Sequence, residues 1–154
     1  MLIGHNFDKG EYIVENRSKY IGDKNPAYKS SFEKRFCYFM DHNPKILKWA
    51  YEPFEIKYLN IVDKRIHRYF PDFYFEEIDN NQKHRKFLIE VKPSDQTIPP
   101  KQPKTRNSKA YKRYMYEAYE FAKNQCKWAA AKKFCQEKGI EFQIITEKSL
   151  FNRD

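Results

Sequence analysis

One acid inside an apolar run constrains this chain more than any other feature. Lys86-Phe87-Leu88-Ile89-Glu90-Val91-Lys92 reads as a strand that Pro93 closes, yet a carboxylate in such a run is seldom fully buried without a partner. Alternation along a strand sends Glu90 and Lys92 to one face and Phe87, Ile89 and Val91 to the other. The fold must therefore bring a partner to Glu90.

Two further strands are predicted upstream. Phe54, Ile56 and Tyr58 alternate with Glu55 and Lys57 in a strand over 49–59, and Ile66 to Phe75 follows a polar break at 60–65. With Asn80-Asn81 in the middle of the polar stretch 76–85, the three strands read as an antiparallel meander. Ahead of them, Phe32, Phe36, Phe39 and Met40 recur at helical spacing, from Ser30 to a stop before Asn43-Pro44. Beyond them, 93–107 contains Pro93, Pro99, Pro100 and Pro103 and reads as a long loop. Ser108 then caps a helix with Tyr111, Met115, Ala118 and Ala122 along one stripe. A break near Asn124 precedes a second stripe, Trp128, Ala131 and Cys135, which stops at Gly139. A strand over 140–145 closes the chain. This order predicts an α/β fold: a central mixed sheet, three antiparallel strands plus a later one, flanked by helices. The weakly patterned residues 1–29 read as a partly mobile arm ahead of a single domain over 30–154.

A chain of 154 residues supports one core. Its 30 Lys and Arg against 21 Asp and Glu leave a net charge of +9, which favours a polyanionic partner such as nucleic acid. Aromatics at 18% with only 4 glycines exclude disorder and glycine-rich repeats. Cys37, Cys126 and Cys135 form no C-x-x-C pair, and the histidines are scattered, so neither a disulfide framework nor a zinc site is expected. There is no glycine-rich phosphate loop. No apolar stretch nears the roughly 18 residues of a membrane span and no signal pattern opens the chain, so a soluble intracellular protein is expected.

The hairpin geometry concentrates acids. Pairing centred near Asn81 sets Asp72 opposite Glu90, with Cβ atoms roughly 4.5–5.5 Å apart. Two carboxylates and Lys92 thus converge on one side of the sheet, and the repulsion between the acids calls for a cation or a proton. Oxygen ligands with free positions suit Mg²⁺ or Mn²⁺, which retain waters for a substrate phosphate.

Pro71-Asp72, a gap and Glu90-Val91-Lys92 resemble the PD-(D/E)XK motif of the restriction-endonuclease-like nucleases. The resemblance implies that Asp72 and Glu90 hold the metal, with Val91 in the same ligand set, and that Lys92 assists the attacking water. Such nucleases often add an acid from the first helix, a role that falls to Glu33. Lys19-Tyr20-Ile21-Gly22-Asp23, Tyr28-Lys29-Ser30-Ser31-Phe32-Glu33, Asp41-His42-Asn43-Pro44, Trp49-Ala50, Arg68-Tyr69-Phe70-Pro71-Asp72 and Phe142-Gln143-Ile144-Ile145-Thr146-Glu147 together resemble the head completion nucleases of tailed bacteriophages. That likeness implies a Mg²⁺- or Mn²⁺-dependent deoxyribonuclease acting after packaging. It also implies DNA and head or portal-vertex proteins as partners, a homodimer left open, and a place in the host cytoplasm or on the virion. Ile56-Lys57-Tyr58 followed by Arg68-Tyr69-Phe70-Pro71-Asp72 is similar to transposon-end endonucleases, whose second DNA-binding domain has no counterpart here. A non-catalytic head-closure or DNA-end-binding protein is the alternative from another class.

Each site residue also has a structural reading. Glu33 completes an S-x-x-E capping box with Ser30. Glu90 can pair with Arg68 or Lys92 across the sheet, and Asp72 can be an edge residue beside a proline. Between Asp95 and Glu117 there is no acid, while Lys101, Lys104, Arg106, Lys109, Lys112 and Arg113 are all basic. They form either a solvated face or a phosphate grip, the latter with a log-log salt slope of roughly −5 if all six engage. Tyr111, Tyr114, Tyr116 and Tyr119 interleave with them, either stacking on bases or packing on the sheet. Nothing in the pattern reads base identity, so recognition by DNA structure or strand end is expected.

Overall fold

The computed structural model describes residues 8–106 and 108–150. In chain order its elements are β1 (Gly10–Glu11), β2 (Ala27–Tyr28), α1 (Ser31–His42), β3 (Ile46–Tyr51), β4 (Ile56–Asn60), β5 (Arg65–Tyr69), β6 (Phe73–Ile78), β7 (His84–Val91), α2 (Lys109–Lys138), β8 (Glu141–Ile145) and α3 (Glu147–Leu150). The central sheet runs β3-β6-β7-β8, antiparallel except for the parallel β7–β8 pair. A parallel neighbour requires a crossover, and α2 supplies it.

The buried middle of this sheet is apolar on both sides because a helix covers each face, while the polar residues His84-Arg85-Lys86 and Glu76-Glu77 gather toward one end. Phe32, Phe36 and Met40 of α1 meet Trp49, Phe73, Phe75, Phe87 and Ile89 on one face. Trp128, Ala131 and Cys135 of α2 meet Ala50, Tyr74 and Leu88 on the other. The alternation expected for β7 holds: Phe87 and Ile89 belong to the α1 side, and Leu88 to the α2 side with Glu90 next along that face. Ser30 Oγ caps α1 by accepting the Glu33 amide at 3.2 Å. Ser108 Oγ caps α2 by accepting the Tyr111 amide at 3.2 Å, and Gly139 ends it at φ 70°, the left-handed conformation that a side chain would strain.

The predicted first and second strands are each two. The strand over 49–59 divides at Glu52-Pro53, where Glu52 has φ 48°, and the one over 66–75 divides at Pro71, which cannot donate to a ladder. The central sheet therefore takes its three antiparallel strands as β3, β6 and β7, with the β4–β5 hairpin leaving as a separate two-stranded sheet. The break expected near Asn124 is absent. α2 runs unbroken for 30 residues, with Asn124, Trp128, Ala131 and Cys135 buried in one continuous stripe. An asparagine inside a helix costs only about 0.7 kcal/mol relative to alanine, less than that packing returns. The stripe predicted for the first half of α2 is not core: Met115 is 52% exposed, and the buried residues of the helix begin at Asn124.

Of the expected arm, residues 1–7 lie outside the described residues, and the rest is tied to α1 by a buried acid. Asp41, 1% exposed, accepts the Tyr12 hydroxyl at 2.7 Å and the Glu15 and Asn16 amides at 2.8 and 3.0 Å. Tyr20 bridges to Trp49, and the Ile21 amide donates to the Trp49 carbonyl at 2.8 Å. Burial alone would raise the Asp41 pKa, but these donors outweigh it and hold the pKa below the ordinary value. A depressed folded-state pKa gives stability that is present above the unfolded value near 3.9 and lost as pH falls through the folded one. Asp41→Ala, which strands three donors, is expected to cost about 3 kcal/mol in urea melts at neutral pH, and the part of that difference owed to the ionised carboxylate should be lost as pH falls below the unfolded value and through the folded one.

Candidate active site

The chain breaks at Glu52-Pro53 and Pro71 lie side by side, joined by a hydrogen bond from the Glu52 amide to the Asp72 carbonyl at 2.9 Å. This is a fork: β3 and β6 pair up to Tyr51 and Phe73, and beyond that point the chain departs into the β4–β5 hairpin. β7 continues past the fork. Its register with β6, Phe73 opposite Ile89, carried one residue further, sets Asp72 opposite Glu90 as the sequence predicts. The fork leaves the end of β7 without a strand partner on that side, and the Val91 amide instead donates to Asp72 Oδ2 at 2.7 Å.

A cleft of about 410 Å³ opens there, lined by Glu33, Asp72, Glu90, Val91 and Lys92 together with Lys29, Glu52, Arg68, Tyr69, Phe70 and Lys127. Glu33, Asp72 and Glu90 are 7%, 9% and 5% exposed. Each is held by a neighbour: Glu90 accepts the Tyr69 hydroxyl, and Glu33 lies 3.1 Å from the Tyr51 hydroxyl. Lys92 Nζ stands 3.8 Å from Glu90 Oε1, and Lys29 pairs with Glu52 at 2.8 Å. Glu33 thus sits in the capped first turn of α1, and its carboxylate faces the cleft.

Burial is the main reason all three carboxyl pKa values are raised. Asp72 is driven furthest, because the Glu90 and Glu33 charges add to its desolvation; at Glu90 the Lys92 and Lys127 charges and the Tyr69 hydroxyl moderate the rise. The Lys127 ammonium is pushed down by burial and then by the like charges of Lys92 and Lys123. The cleft therefore stores electrostatic repulsion that a divalent cation would relieve. The donor set fits such an ion: carboxylates at the end of adjacent strands, and at Val91 a main-chain carbonyl as the one oxygen available. It is not a closed cage. Among the described residues, the three ligand groups whose atoms gather within 4.8 Å of one another are Glu15, Asp41 and His42, and there Asp41 is already committed to the 8–29 segment. An open set of one or two carboxylates completed by water is the arrangement Mg²⁺ favours.

The six basic residues predicted to grip DNA are all exposed, Lys101, Lys104 and Arg106 on the loop and Lys109, Lys112 and Arg113 on the first turns of α2. None lines the acidic cleft. Arg113 lines an adjoining cavity of about 610 Å³ that shares Lys92 as a wall, and it pairs with Glu117 at 2.9 Å. Tyr116 is 66% exposed, whereas Tyr111, Tyr114 and Tyr119 are partly buried. Sequence reasoning missed Lys29, Glu52, Tyr69 and Lys127. The signal for Tyr69 was present, since it stands at the end of a strand beside Pro71-Asp72. That for Lys127 was not, because nothing in one helical turn says which lysine faces a cleft.

A mixed sheet between helices, with acids gathered where its strands diverge, is the architecture of restriction-endonuclease-like enzymes. The sequence profile described as TnsA-like endonuclease N terminal matches residues 43–147, and the chain belongs to that endonuclease family. The chain is also 37% identical over 142 residues, 92% of each chain, to the head completion nuclease of Enterobacteria phage T4. No solved structure matches it. Among the described residues, no helix is long and apolar enough to cross a membrane.

A raised folded-state pKa contributes stability only below the unfolded value near 4, and loses it as pH rises through the folded value. Asp72→Asn, which removes one buried charge and keeps an oxygen for the Val91 amide, is therefore expected to stabilise the metal-free protein at pH 7–8 by about 1–2 kcal/mol. The gain should shrink toward pH 4, as read by urea denaturation across pH.

Proposed function

We propose that this chain is a Mg²⁺- or Mn²⁺-dependent nuclease of phage head completion that hydrolyses DNA phosphodiesters in the Asp72–Glu90 cleft. The observation that carries the reading is the pairing of two buried acids across adjacent strands with Lys92 beside one of them, in a chain of endonuclease family. Asp72, Glu90, the Val91 carbonyl and Glu33 would hold the ion, which when bound polarises the phosphate and eases loss of a proton from water.

The residues around that set divide the remaining work. Tyr69 fixes the rotamer of Glu90, and Tyr51 that of Glu33, so neither carboxylate has to be ordered when substrate arrives. Lys92 Nζ is placed to orient the attacking water and to offset negative charge as it grows on the phosphate. Lys29, Arg68 and Lys127 line the same cleft and can hold phosphate oxygens. Lys101, Lys104, Arg106, Lys109, Lys112 and Arg113 would grip the backbone outside it. The name of the phage T4 relative suggests action on heads, which supports head or portal-vertex proteins as partners and a role on the virion assembling in the host cytoplasm. A homodimer would let two clefts cut both strands.

Purified protein is expected to nick plasmid DNA with Mg²⁺ or Mn²⁺ and to be silent in EDTA. Lys92→Ala and Asp72→Asn should each lower the rate at least about 100-fold, Asp72→Asn at unchanged melting temperature or above it and Lys92→Ala, which removes a cation beside buried Glu90, with a lowered melting temperature but a folded protein that still binds DNA. Binding without cutting under every metal would sink this reading in favour of a structural head-closure protein. Replacing Lys101, Lys104 and Arg106 by Gln is expected to flatten the log-log salt dependence of DNA affinity by about 0.9 per phosphate contact, measured by anisotropy titrations in graded NaCl.

A further inference from the structure

The β4–β5 hairpin carries an apolar end that its own fold leaves uncovered. One face of the hairpin, with Ile56, Tyr58 and Tyr69, is buried against α2. On the other, Leu59 and Ile66 stand directly opposite each other and are 56% and 69% exposed. The turn beyond them presents Ile61 and Val62, 65% and 47% exposed, where polar residues are usual. This turn is built. The Val62 amide donates to Asn60 Oδ1 at 2.9 Å, the Arg65 amide to Asp63 Oδ1 at 2.9 Å and the Lys64 amide to the Asn60 carbonyl at 2.7 Å, with Asn60 itself 1% exposed. A tip held this way presents its apolar groups without an ordering cost on binding.

Charge and continuity identify what the tip meets. Lys57 and Arg68 flank the Leu59–Ile66 pair and Lys64 and Arg65 adjoin the turn, four cations against two acids that are already engaged, Glu55 with Arg68 at 3.4 Å and Asp63 with His67 and the Arg65 amide. A second copy would bring the same cations against them, whereas a polyanion complements them. The hairpin also springs from the cleft: Arg68 and Phe70 belong both to it and to the lining around Asp72. DNA entering the cleft must pass over this root. Arg65, the last paired residue before the turn, lies about 17 Å beyond Phe70 at about 3.3 Å per residue, so Ile61 and Val62 in the turn stand roughly five to six base pairs of duplex from the root.

We propose that the hairpin is a DNA-deforming wedge, with Ile61 and Val62 pressed into the minor groove about five to six base pairs from the scissile phosphate. Leu59 and Ile66 widen the apolar contact, while Lys57, Lys64 and Arg65 rest on the flanking phosphates. Apolar side chains placed between base steps unstack and bend duplexes, and flexible pyrimidine–purine steps yield most readily. The cut would then fall at a fixed distance from a deformable step. This extends the nuclease reading, since it takes the cleft to be where DNA is cut.

The test uses the full chain with Ca²⁺ in place of Mg²⁺ and a 30-base-pair duplex carrying 2-aminopurine at successive positions and an end-to-end fluorophore pair. Wild type is expected to brighten 2-aminopurine at one step and to shorten the end-to-end distance. The pairs Ile61→Ser with Val62→Ser, and Leu59→Ser with Ile66→Ser, should abolish both signals and weaken binding at least fivefold. Their melting temperatures should not fall, because all four side chains are exposed. Variants that bind and bend DNA as wild type does overturn the proposal. So do variants with unchanged DNA behaviour that fail to join phage heads or that lose a wild-type dimer in sedimentation, since the patch then serves a protein. A wild type that bends DNA yet never cuts it with Mg²⁺ would refute the nuclease reading and the spacing to a cut, and leave the hairpin as a DNA-bending wedge alone.

Discussion

Three carboxylates that repel one another inside a low-dielectric cleft set the terms for everything around them. Left to themselves, Glu33, Asp72 and Glu90 would turn outward to water or take up protons. They stay because each is fastened from an element that cannot move: Asp72 by the Val91 amide of β7, Glu90 by the Tyr69 hydroxyl at the end of β5, Glu33 by the capped first turn of α1 and the Tyr51 hydroxyl. Those elements are rigid in turn because aromatic packing covers both faces of the sheet. Phe36 lies 4.6 Å from Phe73 and Phe75 stacks 4.8 Å from Phe87, ring centre to ring centre, directly behind the site. The core spends its stability on holding unfavourable charge in place, which is the usual cost of a preorganised site.

The fork explains why the acids gather at this end of the sheet and not elsewhere. A regular sheet pairs every strand along its length and leaves no opening between neighbours. Here Pro71 removes a ladder donor, and Glu52 takes a positive φ on the strand beside it, so the two chains leave the sheet together, run on as the β4–β5 hairpin and part from β7 at one level. The space this leaves is the cleft. The same departure produces the hairpin, whose root residues Arg68 and Phe70 form the cleft wall. Site and hairpin are thus two results of a single interruption.

The sequence carried the opposition of Asp72 and Glu90 more faithfully than it carried the boundaries of the strands around them. Opposition of Asp72 and Glu90 follows from counting outward from Asn81, and counting is insensitive to where a strand begins or ends, so the pairing held while both upstream strands proved to be split. Those splits were written at Pro53 and Pro71, but alternation on either side of each proline continues through it, and periodicity cannot say that a strand has changed sheets. The continuity of α2 was hidden for the opposite reason. Asn124 looks like a break by propensity, and only the tertiary burial of Trp128 and Ala131 on the same stripe decides that it is not. Lys127 and Lys29 come from distant helix and loop positions, and no local pattern distinguishes them from the other lysines of a basic chain.

The charge balance of the cleft connects the acids to the basic surface outside. Its lining holds Glu33, Glu52, Asp72 and Glu90 against Lys29, Arg68, Lys92 and Lys127, four of each sign, so with every group ionised the cleft itself offers a phosphate no net attraction. The +9 of the whole chain lies elsewhere, on exposed positions such as Lys101, Lys104 and Lys112. DNA can therefore be drawn to the surface by long-range attraction without being drawn into the cleft. On the proposed reading, a bound divalent cation changes that balance to +2 and gives the cleft a net attraction for a phosphodiester. Ion occupancy and substrate entry would be coupled through net charge alone, with no change of shape needed, because the acids that hold the ion are the ones that otherwise cancel the lysines.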